Sequence, residues 1–228
     1  MITLYDLLLQ DDRRASPYCW RIKHVLKHKG LAWRDEPVGF TEKEKIAFAQ
    51  SNTVPVLHDG QTVVKDSWAI ARHLDAAYPD KKLFPDEAAL AYAQFVAGWV
   101  DTAVQPALFP IIVGDLYGRV RKEDQPYFAE TRGKRLGTTD FAGFQAKARD
   151  KGVPAFRAVL EPARRMLRER PFLGGTQPAY PDFALIGAFL WARVASPLEL
   201  LEADDPVAAW RERMLDLHDG MGRKAKAA

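Results

Sequence analysis

Residues 15–21 read Ala-Ser-Pro-Tyr-Cys-Trp-Arg and contain the only cysteine of the chain, Cys19. Ser16 suits the cap of a helix and Pro17 its first position. Free backbone N–H groups and the helix dipole at such a place favour an anion, and a hydroxyl there can donate one more hydrogen bond, for example to a thiolate. Cys19 falls three residues further on, on a stripe with Ile22 and Leu26. That position reads as a small buried hydrophobe, without the helix-end donors that acidify a thiol. Ser16 itself cannot form a mixed disulfide, so thiol–disulfide exchange is not expected. Val54-Pro55 is a second feature, because proline belongs at a strand start or an edge, and a cis bond there would leave the Val54 backbone free to pair with an extended ligand. Asp66-Ser67 is a third, a helix start whose carboxylate can meet an ammonium. Each alone also reads plainly, as a cap, a strand start and a cap.

The elements that must hold these residues can be traced along the chain. A strand is expected over residues 2–8 and a helix from Pro17 to Lys29, stopped by Gly30. Trp33 to Val38 reads as a second strand, and Gly39 to Thr53 as irregular or partly helical. Val-Pro-Val-Leu-His-Asp-Gly-Gln-Thr-Val-Val is a hairpin signal around Asp59-Gly60. A helix opened by Asp66 and Ser67 then runs to Pro79. Residues 80–85 form a linker between residues 1–79 and 86–228. The rest reads as helical. One helix runs from Asp86 through Trp99 and is expected to bend or break near Pro106 and Pro110. Residues 122–150 are polar with weak periodicity. Pro154 to Arg170 is amphipathic, Asp182 to Val194 is nearly all apolar and hence central, and a last helix spans Pro206 to Leu217.

Composition removes several classes of function. The 228 residues carry a net charge of +3, too little to argue for nucleic acid. No apolar run approaches a membrane span and no signal peptide is expected, so no membrane partner is anticipated. A single cysteine cannot close an internal disulfide, which suits a reducing compartment, and a cytoplasmic location is expected. The five histidines show no metal-ligand spacing, so no metal is expected, and His24 and His28 read as a solvated helix face.

A thioredoxin-like layout would bring the first helix start, the proline strand and the second helix start around one groove. That groove offers sites for a thiol, a peptide backbone and a zwitterionic amino-acid end, which are the parts of glutathione. At these residues the chain resembles the glutathione transferase superfamily, over nearly its whole length. Ser-Pro-Tyr-Cys-Trp-Arg, Val-Pro-Val-Leu, Asp-Ser-Trp and Phe-Leu-Gly-Gly-Thr-Gln-Pro-Ala-Tyr-Pro-Asp-Phe carry the likeness. Within the superfamily it looks most like bacterial β-etherases of the lignin-degrading type and related fungal enzymes.

The resemblance implies an α/β thioredoxin-like N-terminal domain, an all-α C-terminal domain, glutathione as co-substrate and a homodimer. It implies Ser16 as the catalytic residue, hydrogen-bonded to the glutathione sulfur. Tyr18, Val54, Pro55, Asp66 and Ser67 match groove positions, Thr53 adds a candidate polar contact, and Lys43 or Lys45 would meet the glycine carboxylate. The second half would hold the electrophile, with Trp99, Phe109 and Tyr117 as pocket candidates beside Phe95 and Trp191. Trp191 reads as core, and Tyr117 as pocket or surface. One departure is Ala179, where the superfamily places Ser, Thr or Asn to cap the helix of Asp182. Three functions compete: a transferase acting on aromatic electrophiles, with β-aryl ether cleavage its sharpest version, a non-catalytic ligand-binding protein on the same fold, and a disulfide reductase using Cys19.

Overall fold

In the computed structural model, which describes residues 1–228, the first half is a four-stranded mixed sheet with two helices. Strand β1 (Ile2–Leu7) pairs in parallel with β2 (Trp33–Val38) and antiparallel with β3 (Val56–Asp59), and β4 (Thr62–Lys65) closes the order β2-β1-β3-β4. The parallel pair is joined through α1 (Pro17–His28), as a crossover requires. The hairpin turns at Gly60, whose φ of 64° favours glycine. A 3-10 turn at Lys43–Ala49 fills the segment expected to be partly helical. Helix α2 (Ser67–Ala77) follows β4. The connection after it is tied down, because the Asp75 carboxylate accepts from the Leu83 and Phe84 N–H groups at 2.7 and 3.3 Å and pairs with Lys29 at 2.9 Å.

The second half corrects three expectations. Helix α3 (Glu87–Trp99) runs through a π segment (Val100–Val104) into α4 (Gln105–Arg119), with no break at Pro106 or Pro110. In the π segment the Gln105 N–H bonds the Val100 carbonyl five residues back. This re-registers the backbone just before Pro106, which then occupies the first turn of α4, where no N–H is needed. The continuous 33-residue stretch Glu87–Arg119 is long and apolar enough to cross a membrane by length and composition. Here many of its apolar positions, among them Val100, Val104 and Leu108, are buried in the fold. Residues 122–150 are also more regular than their pattern suggests, forming α5 (Gln125–Leu136) and the start of α6 (Phe141–Val159). Pro154 lies inside α6 rather than opening a helix, and the amphipathic run divides into α6 and α7 (Glu161–Leu167) at Leu160. Helix α8 (Tyr180–Ala195) is almost wholly buried, as its composition requires, and α9 (Pro206–Gly220) leaves helical geometry at Leu217–Asp219.

The two halves meet where α1 packs on α8. Gly187 of α8 makes this close, since a Cβ there would stand 2.4 Å from the Pro17 carbonyl oxygen. Covered by the sheet on one side and α8 on the other, α1 has no fully solvated face. His24 is therefore buried at 0% exposure, against the expected solvated face, with its ring 5.7 Å from Phe183 and 5.6 Å from His218. Neither ring nitrogen has a hydrogen-bond partner. Burial, then the charge of His218, lowers the His24 pKa to about 3, whereas an unfolded histidine titrates near about 6.5. Between those values the unfolded chain binds a proton that the folded chain refuses. His24 therefore adds no titration cost above about pH 6.5, and works increasingly against folding as pH falls from there toward about 3, by roughly 1 kcal/mol per pH unit. Urea midpoints measured from neutral pH downward are expected to fall less steeply in His24→Leu than in the wild-type protein. Equal slopes would contradict this assignment.

Candidate active site

A cavity of about 390 Å³ opens between the halves beside the start of α1. Ser16, Tyr18, Thr53 and Val54 line it from the first half, and Phe109 and Trp191 from the second. The Ser16 hydroxyl caps α1, accepting the Cys19 N–H at 3.2 Å. A hydroxyl oxygen that accepts keeps its own proton to donate. Tyr18 stands half-buried on the first turn, its ring 5.2 Å from the Arg21 guanidinium. Burial, then the charge of Asp101, pushes its phenol above the ordinary value.

Cys19 points the other way. It is fully buried, its thiol lies 3.8 Å from the Tyr5 carbonyl, and burial, then the charge of Asp6, raises its pKa well above the ordinary value. A protonated, inaccessible thiol is no nucleophile. The disulfide-reductase reading fails on this geometry.

Val54-Pro55 is a cis peptide bond. Val54 precedes β3 and stands outside its ladder. Pro55, Asp66 and Ser67 are not part of the cavity lining. Asp66 caps α2, accepting from the Trp68 and Ala69 N–H groups at 2.9 and 3.0 Å, and holds a φ of 73°. Ser67 connects to the cavity through Arg21, which donates to its hydroxyl at 3.4 Å and to Asp101 of the cavity wall at 2.7 Å. Burial works against the Arg21 cation, yet Tyr180 and Asp101 outweigh it and raise its pKa.

The candidate pocket residues separate. Phe109 lines the cavity and lies stacked with Trp191, ring centres 6.1 Å apart, so Trp191 is a cavity wall rather than core alone. Trp99 and Tyr117 do not line it. Tyr117 packs against Phe128 and Phe141 at 5.8 and 5.0 Å, and Trp99 rests against the core. Phe95 is 74% exposed, and it too is absent from the lining. Of the two lysines, Lys43 lines the cavity, with its ammonium 4.4 Å from the Tyr127 ring. Lys45 is spent on Glu42 at 2.9 Å.

Arg21, Phe40, Tyr127, Arg132 and Arg135 were not singled out from the sequence. Phe128, Arg132 and Arg135 fall at helical spacing within the polar stretch 122–150, which is the signal that could have found that wall.

The profile of the glutathione S-transferase N-terminal domain matches residues 15–77, and that of the C-terminal domain residues 91–217. Glutathione S-transferase omega-1 of Mus musculus is 26% identical over 197 residues, covering 83% of this chain and 67% of the relative. Probable glutathione S-transferase GSTU6 of Oryza sativa subsp. japonica is 25% identical over 213 residues, covering 87% and 80%. Among solved structures, glutathione transferase GSTFuA3 from Phanerochaete chrysosporium superposes with a TM-score of 0.82 at 25% identity, over 93% of this chain and 95% of its own. The glutathione S-transferase CsGST63524 of Ceriporiopsis subvermispora, in complex with glutathione, gives 0.78 at 23% identity over 96% of each chain. The sheet and its helices are thus a thioredoxin-like N-terminal domain, followed by a helical C-terminal domain.

Proposed function

The chain belongs to the glutathione S-transferase family, with glutathione as co-substrate, and from that premise we propose that it joins the glutathione thiolate to a hydrophobic, aromatic electrophile. The observation that carries this is Ser16, which lines the cavity at a helix start with its oxygen occupied by the Cys19 N–H and its proton available to a sulfur. Across the cavity stands the Phe109–Trp191 wall, which suits an aromatic ring. A free thiol ionises near about 8.5, and lowering that by two units takes roughly 2.7 kcal/mol. One hydrogen bond to an anion plus a helix terminus supplies that order of energy.

In this reading the Val54 backbone pairs with the cysteinyl part of glutathione, Asp66 meets its ammonium and Lys43 its glycine carboxylate. The thiol proton leaves to solvent, the thiolate forms a C–S bond, and the leaving group departs with its electron pair. In the β-aryl ether version the C–O bond breaks and a phenoxide leaves. The fungal neighbour in complex with glutathione supports the first step, and the apolar wall supports the second. The family supports a homodimer, and a single thiol supports a cytoplasmic setting, where reduced glutathione is abundant.

A fluorogenic β-aryl ether mixed with the protein and glutathione tests the sharpest version. Dye release that requires glutathione establishes ether cleavage. No release, with glutathione still bound in calorimetry, removes the etherase version and leaves other electrophiles to assay.

A further inference from the structure

We infer that the electrophile recognised in this cavity carries an anion, a carboxylate on its aromatic ring, met by Arg132 and Arg135. This inference rests on the transferase reading and names its substrate class. Three cationic side chains line the cavity, Lys43, Arg132 and Arg135, and none has a carboxylate within ion-pair distance. The lining holds one carboxylate, Asp101, already bound by the buried Arg21 at 2.7 Å. The acid nearest in sequence to the arginines, Glu130, pairs with Lys134 instead. The cavity therefore presents an excess of positive charge with no internal counter-charge.

Glutathione accounts for part of that excess. Its glycine carboxylate takes Lys43, which comes from the first half. Arg132 and Arg135 come from α5 of the second half, at the i, i+3 spacing that places two side chains on one helix face. They stand among the aromatic groups of the electrophile side. The Arg135 guanidinium is 5.2 Å from the Phe109 ring, and Arg132 is 5.2 Å from both Phe40 and Phe128. Arg132 spends one N–H on the neighbouring Thr131 hydroxyl at 2.8 Å, and the other N–H groups of the two guanidiniums are available to a bidentate acceptor. Burial pulls the Arg132 cation below its ordinary value, as befits a cation short of an anion. An apolar wall with two unpaired arginines at its edge fits an aromatic acid better than a neutral arene.

The test uses the glutathione thioether of a nitrobenzoic acid and the methyl ester of the same thioether. Their dissociation constants are measured by calorimetry on the whole protein. The acid is expected to bind at least roughly tenfold tighter than the ester, with the ratio shrinking toward one as salt rises. Arg135→Gln, at an exposed position, and Arg132→Gln should each narrow the ratio. Equal affinities for acid and ester would overturn the inference. So would variants that weaken plain glutathione as much as the acid thioether, because the arginines would then serve glutathione's own carboxylate. Turnover is scored separately, as glutathione-dependent fluoride release from a fluoronitrobenzoic acid. Its absence would count against catalysis and leave the binding ratio to judge the subsite.

Discussion

Ser16→Ala is expected to lower kcat/KM for glutathione-dependent transfer by about ten- to a hundredfold. Alanine removes the proton donor that favours the thiolate, while the helix terminus and the rest of the cavity stay in place. The loss should fall mainly on kcat, because the hydroxyl interacts more strongly with the charged sulfur than with the thiol. The variant also loses the cap in which the Ser16 hydroxyl accepts the Cys19 N–H, worth about 1 kcal/mol of stability. Rates must therefore be compared at a temperature where both proteins are folded. Cys19→Ala serves as the control, because its thiol is buried and faces the sheet rather than the cavity. A rate unchanged in Ser16→Ala, or a comparable loss in Cys19→Ala, would contradict the assignment.

Asp182→Ala is expected to destabilise the protein by about 3–5 kcal/mol. Ala179 offers no oxygen to cap α8, so half of the capping arrangement is missing. Asp182 supplies the other half and more. Its carboxylate accepts the Ala179 N–H at 3.0 Å, the Leu173 and Gly174 N–H groups at 2.8 Å, and the Trp210 indole N–H at 2.8 Å. It is fully buried, and burial raises its pKa even against these four donors. Alanine would strand all four, in the segment that joins the Leu173 turn, α8 and α9. For a chain of this size that loss moves the melting temperature by roughly 10 °C, a shift that calorimetry resolves easily. Asp182→Asn, which keeps one acceptor oxygen, should fall between the two. A change under about 1 kcal/mol would mean that the donors find other partners.

What could be read from the sequence followed the range of each signal. Ser16, Pro17 and Gly30 delimit α1 because caps and stops act within one turn, and Asp59-Gly60 marks the hairpin for the same reason. Signals set by distant packing were not legible. Pro106 looks like a break until a π segment re-registers the backbone ahead of it, and Pro110 sits inside α4 without ending it. His24 looks solvated until α8 closes over the outer side of α1. The cavity shows the same division. Ser16, Tyr18, Thr53 and Val54 reach it from local motifs in the first half. In the second half, Trp191 and Tyr117 exchange their expected places, because which face of a helix meets the first half depends on how α4, α5 and α8 are packed. Arg132 and Arg135 were hidden in a stretch whose polar composition masked its helical period.

In the proposed reaction Ser16 holds the glutathione sulfur as a thiolate. The most direct measurement is an ultraviolet titration of thiolate absorbance for glutathione bound to the wild-type protein and to Ser16→Ala. The bound thiol is expected to ionise about two units below its free value in the wild-type protein, and to return most of the way toward about 8.5 in the variant. The same titration midpoint in both proteins, or a bound thiol that ionises no earlier than free glutathione, would contradict it.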